Sequence, residues 1–125
     1  MYLSLHGVAD PNDPSAYFYP TTATTLQQEE LLVNVPLSQG TSSAAYLEAF
    51  DQYITPNVRR FRPDLIIISC GFDACAGDSP AHPDGYLQLD PHAFAQVTDT
   101  APDASEDGWP LIPDGFCRLI ASDDD

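Results

Sequence analysis

The chain has 125 residues, which leaves room for one small domain. Its 19 acidic residues outnumber four arginines, there is no lysine, and the formal net charge is −15. Such a charge repels phosphate backbones and argues against direct binding to nucleic acid. An acidic surface could attract a basic peptide, although solubility or a salt-rich environment explains the charge more simply.

The cysteines bear on the compartment in which the protein works. Cys70, Cys75 and Cys117 are odd in number and form no Cys-x-x-Cys pair, which argues against a disulfide framework and against a zinc finger. The sequence shows no signal-peptide pattern, and no apolar run approaches the ~20 residues of a membrane span. It therefore predicts a soluble intracellular protein, nuclear or cytoplasmic, that binds no membrane.

The first predicted element is a β-strand over residues 1–6. Leu3 and Leu5 alternate there with polar or aromatic residues, the period expected of a half-buried strand. A loop of turn residues follows and closes on an aromatic run, Tyr17 to Tyr19. Taken alone, this run predicts a small aromatic cluster beneath a loop.

A strand, a helix and a second strand make up the middle of the chain. The first strand is predicted over residues 31–37. From Ala44 to Val58, apolar residues recur at spacings of three and four, which predicts an amphipathic helix. Pro56 lies inside this helix and should kink it, because proline donates no backbone hydrogen bond. Together with the strand at residues 65–68, these elements predict a right-handed β-α-β crossover.

The second strand leads to the most informative residues. Four branched aliphatic residues, Leu65 to Ile68, follow each other without alternation, which is typical of a strand buried on both faces. A carboxylate placed just past such a strand is costly to bury unless a partner neutralises it, and ligands gather at this end of a sheet. Asp73 is therefore a candidate metal ligand or catalytic acid, with capping of a following helix or turn as the alternative.

Four short motifs follow one another along the chain. They are Ser-Leu-His at 4–6, an aromatic residue before Pro20, Asn-Val-Pro at 34–36 and Gly-Phe-Asp-Ala at 71–74, with Gly-Asp at 77–78 after the last. In this order they resemble the zinc-dependent histone deacetylase family, class II in type. The resemblance implies an α/β fold, a three-layer α/β/α arginase/deacetylase-like domain with a mainly parallel sheet. The chain would hold only part of it, because the family domain is well over twice as long.

The resemblance implies roles for five residues. Asp73 would be a zinc ligand. Ser4 and Leu5 would help to bind a potassium ion, the leucine through its backbone carbonyl, although an ordinary strand end explains them as well. Tyr19 and Phe72 would line the substrate site, where aromatic walls suit the methylene chain of an acyl-lysine.

Most of the family's catalytic groups have no match in the chain. A catalytic zinc takes three protein ligands and keeps an open position, and Asp73 is the one ligand that matches. The paired histidines, the other two ligands and the catalytic tyrosine are unmatched, so no catalytic residue is assigned. The sequence predicts that the isolated chain neither retains zinc nor deacetylates.

Three interpretations of the function stay open. The leading one is part of a zinc-dependent lysine deacetylase that acts on an acyl-lysine protein or peptide, with the missing half of the domain as a further partner. The second is a non-catalytic remnant or partner-binding module with an acidic surface. The third is an unrelated acidic α/β protein from a salt-rich cell.

The carboxyl-terminal part differs in composition from the rest. Asp90 and Pro91 are start signals of a helix, the aspartate as cap and the proline at the first position. Beyond that helix the chain is acidic and broken by prolines, which is typical of disorder. The sequence therefore predicts a partial deacetylase-like domain over residues 1–98 and a disordered acidic tail over residues 99–125.

Overall fold

The structure, a computed structural model, describes residues 1–8, 24–63, 65–78, 87–99 and 118–121. Its strands are β1 (Tyr2–Gly7), β2 (Gln27–Gln28), β3 (Leu32–Leu37), β4 (Thr41–Ser42), β5 (Ile67–Cys70), β6 (Leu87–Gln88) and β7 (Arg118–Ala121). Its helical elements are α1 (Ser43–Ala49), a π-helical segment (Phe50–Ile54), α2 (Thr55–Phe61), a 3₁₀ turn (Phe72–Ala74) and α3 (Pro91–Asp99). The mixture of helices with mainly parallel strands confirms the predicted α/β class.

β1 and β3 form the longest strand pair that the structure describes. They run parallel over six residues each, with Tyr2 opposite Leu32, which confirms both predicted strands. β2 adds an antiparallel edge to β3, although the sequence around it has no strand signal. This pairing gives the buried side-chain amide of Asn34 a hydrogen-bond partner. Asn34 is 8% exposed, and its Nδ2 donates a hydrogen bond to Oε1 of Gln27 at 2.7 Å.

Two further parallel pairs, β4 with β6 and β5 with β7, lie in sheets of their own. The predicted crossover would put β3 and β5 in one sheet, whereas among the described residues they belong to different sheets. β7 falls within the region predicted as a tail. The other residues of that region beyond α3, 100–117 and 122–125, lie outside the described residues, so the division into domain and tail stays a prediction.

β5 is more exposed than its sequence predicts. Leu65 is 58% and Ile67 is 63% exposed, while Cys70 at the strand end is 7% exposed. The prediction of a strand buried on both faces is therefore wrong, and the strand begins at Ile67. An apolar run favours burial, but a strand is buried only where other elements pack over it. Among the described residues, no element covers the side chains of Leu65 and Ile67.

One long helical segment runs from α1 through the π-helical turn to α2. Ser42 caps it, because its Oγ accepts a hydrogen bond from the N–H of Ala45 at 3.4 Å. The segment widens into the π-helical turn just before Pro56, which has no N–H to give to the helix. The sequence predicts a kink at Pro56, and the structure has the π-helical turn just before that residue. None of the helices in the described ranges has the length and apolar character that crossing a bilayer requires.

The hydrophobic core lies between β3, β6 and the start of α3. Its buried members are Val33, Val35, Leu37, Leu87, Leu89 and Ala93. Partly buried residues of β1, the helical segment and α3 pack against it, among them Leu3, Leu5, Tyr46, Tyr53 and Phe94. On the predicted apolar stripe of the helix, Ile54 and Val58 are buried as expected. The core thus joins the first sheet to the segment that follows the candidate site.

The carboxyl end of α2 has a backbone conformation that suits glycine. Arg62 has a φ of 52°, and its N–H donates to the carbonyl of Val58 at 2.9 Å, so it holds the left-handed position that closes a helix. This conformation costs a residue with a side chain about 1 to 2 kcal/mol. We expect Arg62→Gly to raise the free energy of unfolding by about 0.5 kcal/mol, since the greater freedom of glycine in the unfolded chain offsets part of the gain.

Urea denaturation with Arg59→Gly as the matched control tests this expectation. Arg59 lies inside α2, where a glycine lowers helix stability by about 1 kcal/mol. Both variants remove one exposed arginine from the same helix end, so the difference between them reports the backbone. A loss of stability in both would contradict the interpretation of Arg62.

Candidate active site

Asp73 lies where the sequence predicts it, just beyond the carboxyl end of β5. The strand ends at Cys70, Gly71 follows in an extended conformation, and Asp73 is the middle residue of the 3₁₀ turn. Its side chain is exposed. Gly71 holds the capping position of this turn, with no side-chain cap. Asp73 does not cap the turn in which it lies, and its alternative role as the cap of a following helix or turn stays a prediction.

The turn that carries Asp73 is attached to the segment before α3. The N–H of Leu89 donates to the carbonyl of Ala74 at 3.2 Å, and the N–H of Ala76 donates to the carbonyl of Leu89 at 2.9 Å. Leu89 is 1% exposed, so these two hydrogen bonds connect the turn to the core. Asp73 thus presents an exposed carboxylate on a backbone that the core holds in place.

Gly71 leaves space for the carboxylate of Asp73. A Cβ atom built on Gly71 would lie 2.7 Å from Oδ1 of Asp73, which is closer than these atoms can approach. The aspartate side chain therefore folds back over the glycine, and any side chain at position 71 would displace it.

Phe72 stands next to the carboxylate, and its side chain is 45% exposed. The ring packs on Phe94 of α3, with ring centroids 5.3 Å apart and ring planes at 57°, a favourable tilted arrangement. The exposed part offers an apolar surface beside Asp73, and its contact with substrate stays a prediction. Tyr19, which the sequence assigns to the same substrate site, lies outside the described residues.

Ser4 and Leu5, the predicted potassium ligands, lie on β1, in a different sheet from β5. The Ser4 hydroxyl oxygen is 3.0 Å from Nδ1 of His6, so it is engaged within its own strand. Leu5 packs against the core and lies opposite Val35 in the strand register. β1 continues to Gly7, so both residues lie inside the strand rather than at its end, and the potassium site stays a prediction.

A metal centre would need more donors than the described residues bring together. Within the described ranges, no group of three His, Cys, Asp or Glu side chains is placed to hold a metal ion. The oxygen of Asp73 is a suitable zinc donor, but a catalytic zinc takes three protein ligands. The described donor set therefore does not fit a catalytic zinc by itself.

Tyr46 is a titratable group that no motif marks. Burial, and to a lesser degree the charge of the Cys70 thiol, raises the pKa of Tyr46 to about 12. The residue lies on α1 and packs against the core. At neutral pH its hydroxyl therefore keeps its proton.

Leu89 and Phe94 support the turn that carries Asp73, and the sequence marks neither of them as a functional residue. Leu89 holds the turn through backbone hydrogen bonds, which no side-chain pattern reveals. For Phe94 a partial signal exists, because Asp90 and Pro91 define the helix start and so put Phe94 in the first turn. The contact with Phe72 arises only from the fold.

The comparisons with known proteins agree with one another. A family model described as the histone deacetylase domain matches residues 1–110. Histone deacetylase clr3 of Schizosaccharomyces pombe is 43% identical over 67 residues, which are 53% of this chain and 9% of that protein. Polyamine deacetylase HDAC10 of Rattus norvegicus is 40% identical over 67 residues, which are 53% of this chain and 11% of that protein.

A solved structure matches as well. The HD domain of HDA15 superposes with a TM-score of 0.62 and 34% identity, covering 79% of this chain and 27% of that one. The chain thus spans between 9% and 27% of the lengths of these three relatives. The family match includes every element from β1 to α3, and with them Phe72, Asp73 and Phe94.

Proposed function

Since the chain belongs to the histone deacetylase family and forms part of an arginase/deacetylase fold, we propose that it carries the Asp73-bearing part of an amide-hydrolase active site. The observation that carries the proposal is the exposed Asp73 carboxylate beyond β5, on a turn attached to the core. The reaction adds water to an acyl carbon, breaks the carbon–nitrogen bond and leaves a protonated amine. Its products are a carboxylate and a lysine side chain or polyamine.

The substrate we propose is an acyl-lysine protein or peptide, with an acylated polyamine as the second candidate. One relative is by name a histone deacetylase and another a polyamine deacetylase, so both classes are open to a member of the family. The net charge of −15 favours a basic substrate of either kind through long-range attraction. Phe72, together with Tyr19, would supply apolar walls for the methylene chain that both substrates contain.

Zinc is the cofactor that the family implies, and we assign Asp73 as one of its ligands. The remaining donors would come from residues outside the described ranges or from another part of the domain. Ser4 and Leu5 are assigned to a potassium site on the same basis. The odd number of cysteines favours a reducing compartment, and we place the protein inside the cell, in the nucleus or the cytoplasm.

The test compares Asp73→Asn with Asp78→Asn. Both substitutions are made in the native gene product that contains these 125 residues. Asp73→Asn is expected to lower kcat/KM on an acetyl-lysine peptide and on an acetylated polyamine by at least about 100-fold, and to lower the zinc content, because a neutral amide is a poor zinc ligand. Asp78 is an exposed carboxylate of the same loop, and its variant should keep most of the activity. Activity that survives Asp73→Asn would overturn the proposal.

The 125-residue chain purified alone gives the complementary result. We expect it to lose zinc on dialysis and to leave an acetyl-lysine peptide intact, because one carboxylate holds zinc weakly. Robust turnover by this chain, abolished by Asp73→Ala, would contradict the expectation and show that the chain completes the site by itself.

A non-catalytic binding role is the second candidate function. A cavity of about 470 Å³ lies between β1, the helical segment and β5. Its lining includes four apolar side chains that are 44% to 63% exposed, namely Tyr2, Phe61, Leu65 and Ile67. Exposed apolar side chains in one place are typical of a surface that binds another polypeptide, which supports a partner-binding module. A metal-free chain that is stable and monodisperse would favour this role, because an incomplete core is marginal on its own.

A further inference from the structure

The cavity between β1, the helical segment and β5 is lined by consecutive residues of both strands. Residues 1–5 line it on one side and residues 65–69 on the other. Successive side chains of a strand point to opposite faces of a sheet, so a cavity over one face would meet every second residue. Lining by consecutive residues therefore places the cavity along the edges of the two strands.

Each of these two strands has one edge occupied by a neighbour. β3 pairs with β1 along its whole length, and β7 pairs with β5 from Ile67 to Cys70. No described residue of β3 lines the cavity, so the cavity lies at the opposite edge of β1. None of the described strands pairs with both β1 and β5. The cavity is thus an opening where one more strand could pair with β1 on one side and with β5 on the other.

The helical segment forms the apolar floor of this opening. Tyr46, Phe50, Ile54 and Val58 line the cavity at every fourth position and so share one face of the helix. None of the described lining residues has a charged side chain, although the chain contains 19 acidic residues and four arginines. An occupant therefore needs uncharged, apolar side chains where it meets the floor.

The two strand edges select a polypeptide as the occupant. An edge presents a row of backbone N–H and C=O groups, and another extended backbone is what satisfies such a row. A small apolar molecule would cover the floor and leave both rows without partners. A second copy of the chain is disfavoured, because each copy has a net charge of −15. The same charge favours a partner whose apolar strand is flanked by basic residues.

We propose that this opening receives one extended apolar strand of another polypeptide, flanked by basic residues, which pairs with β1 and β5 at once. The inference rests on the second candidate function, the partner-binding role, and names how the partner binds. Strand addition takes its affinity from main-chain hydrogen bonds and its selectivity from alternate side chains. Five lining residues on each side correspond to about 17 Å of strand, so about five apolar residues fill the opening.

The probe is the capped peptide Lys-Lys-Val-Ile-Val-Ile-Val-Lys-Lys, titrated into the 125-residue chain by isothermal titration calorimetry. It is expected to bind with one site per chain. The same peptide with glutamates in place of the lysines should bind at least about tenfold more weakly at low salt, because the chain is acidic. Absence of binding by the lysine peptide would overturn the proposal, and equal affinity of the two peptides would overturn its basic partner.

Backbone N-methylation of the peptide tests the pairing itself. Successive N–H groups of a strand point to opposite edges. Methylation of the first, third and fifth apolar residues therefore blocks one edge, and methylation of the second and fourth blocks the other. Each set is expected to weaken binding by at least about tenfold, since each removes several hydrogen bonds. Weakening by one set alone would overturn a strand held between two edges.

Ile67→Lys locates the binding. Ile67 lines the cavity and is 63% exposed, so the fold should tolerate lysine, while a charge in the opening should weaken peptide binding by at least about tenfold. Leu31→Lys is the matched control. Leu31 is 55% exposed and is not among the lining residues, and its variant changes the net charge by the same amount. Equal affinities of the two variants would overturn the assignment to this cavity.

Two further results separate this proposal from the broader binding role. Peptide binding that Ile67→Lys abolishes but that survives both N-methylations would leave the partner-binding role standing and overturn the strand. A dimer of the peptide-free chain in sedimentation equilibrium, dissociated by Ile67→Lys and not by Leu31→Lys, would make a second copy the occupant and overturn the proposed partner. None of these measurements depends on zinc or on amide hydrolysis.

Discussion

Leu89→Ala is expected to lower the free energy of unfolding by about 3 to 4 kcal/mol. Leu89 is 1% exposed and is one of the two largest fully buried side chains among the described residues. Its truncation removes apolar contacts from the core and leaves a cavity that the surrounding residues fill only in part. Because a small domain has only about 5 to 15 kcal/mol of stability, this variant should be close to unfolding. Urea denaturation followed by circular dichroism measures the difference.

Leu65→Ala is the control for this prediction, because it deletes the same atoms from a residue that is 58% exposed. It should cost less than about 1 kcal/mol. Equal losses in the two variants would mean that Leu65 is covered in solution. That result would contradict the exposure that the structure gives to Leu65.

Tyr46 is expected to make the protein less stable in alkali. Burial first, and the Cys70 charge second, raise the pKa of Tyr46 from 10.0 to about 12 in the folded state, so the folded chain holds this proton more tightly than the unfolded chain. The resulting stability is fully present below pH 10 and is lost as the pH rises through 12. At about 1.4 kcal/mol for each pH unit, the loss amounts to about 2 to 3 kcal/mol.

Tyr46→Phe removes the ionising hydroxyl, so its free energy of unfolding should fall less than that of the wild type between pH 10 and 12. Cys70→Ala removes the smaller cause and should reduce the loss only in part. Tyr53→Phe controls for the removal of a partly buried hydroxyl from the same helical segment. A difference between wild type and Tyr46→Phe that stays constant across this pH range would contradict the prediction.

The elements that the sequence predicts well are those that local signals specify. The alternation around Leu3 and Leu5 predicts β1, and the structure has a strand there. The pair Asp90 and Pro91 predicts the start of α3, and the carboxylate of Asp90 caps that helix as expected. In each case the information lies within a few residues, because a strand's alternation or a helix cap is a property of the segment itself.

The features that sequence reasoning misses depend on partners elsewhere in the chain. β2 consists of two residues, and it pairs where Gln27 reaches the buried amide of Asn34. The exposure of Ile67 depends on which elements pack over β5, and the apolar sequence of the strand does not identify those elements. The packing of a strand is therefore harder to predict than its existence.

The candidate site likewise has one part that the sequence predicts and another that depends on distant residues. The place of Asp73 is predictable, because a polar turn follows an apolar strand and the Gly-Phe-Asp-Ala motif resembles that of a known family. The residues that support Asp73 are not predictable in this way. Leu89 and Phe94 lie further along the chain and contact the turn only in the folded structure. Tyr46, whose pKa is raised to about 12 by burial and Cys70, likewise belongs to no motif.

The contact between Gly71 and Asp73 bears on how position 71 would evolve. The first atom of any side chain at that position would lie 2.7 Å from the carboxylate oxygen, so the two compete for the same space. The oxygen ends a side chain that can rotate away, and an alanine would therefore be tolerated at little cost to the fold. Natural selection would therefore keep glycine at position 71 because it preserves the position of the Asp73 carboxylate, and not because the fold requires it.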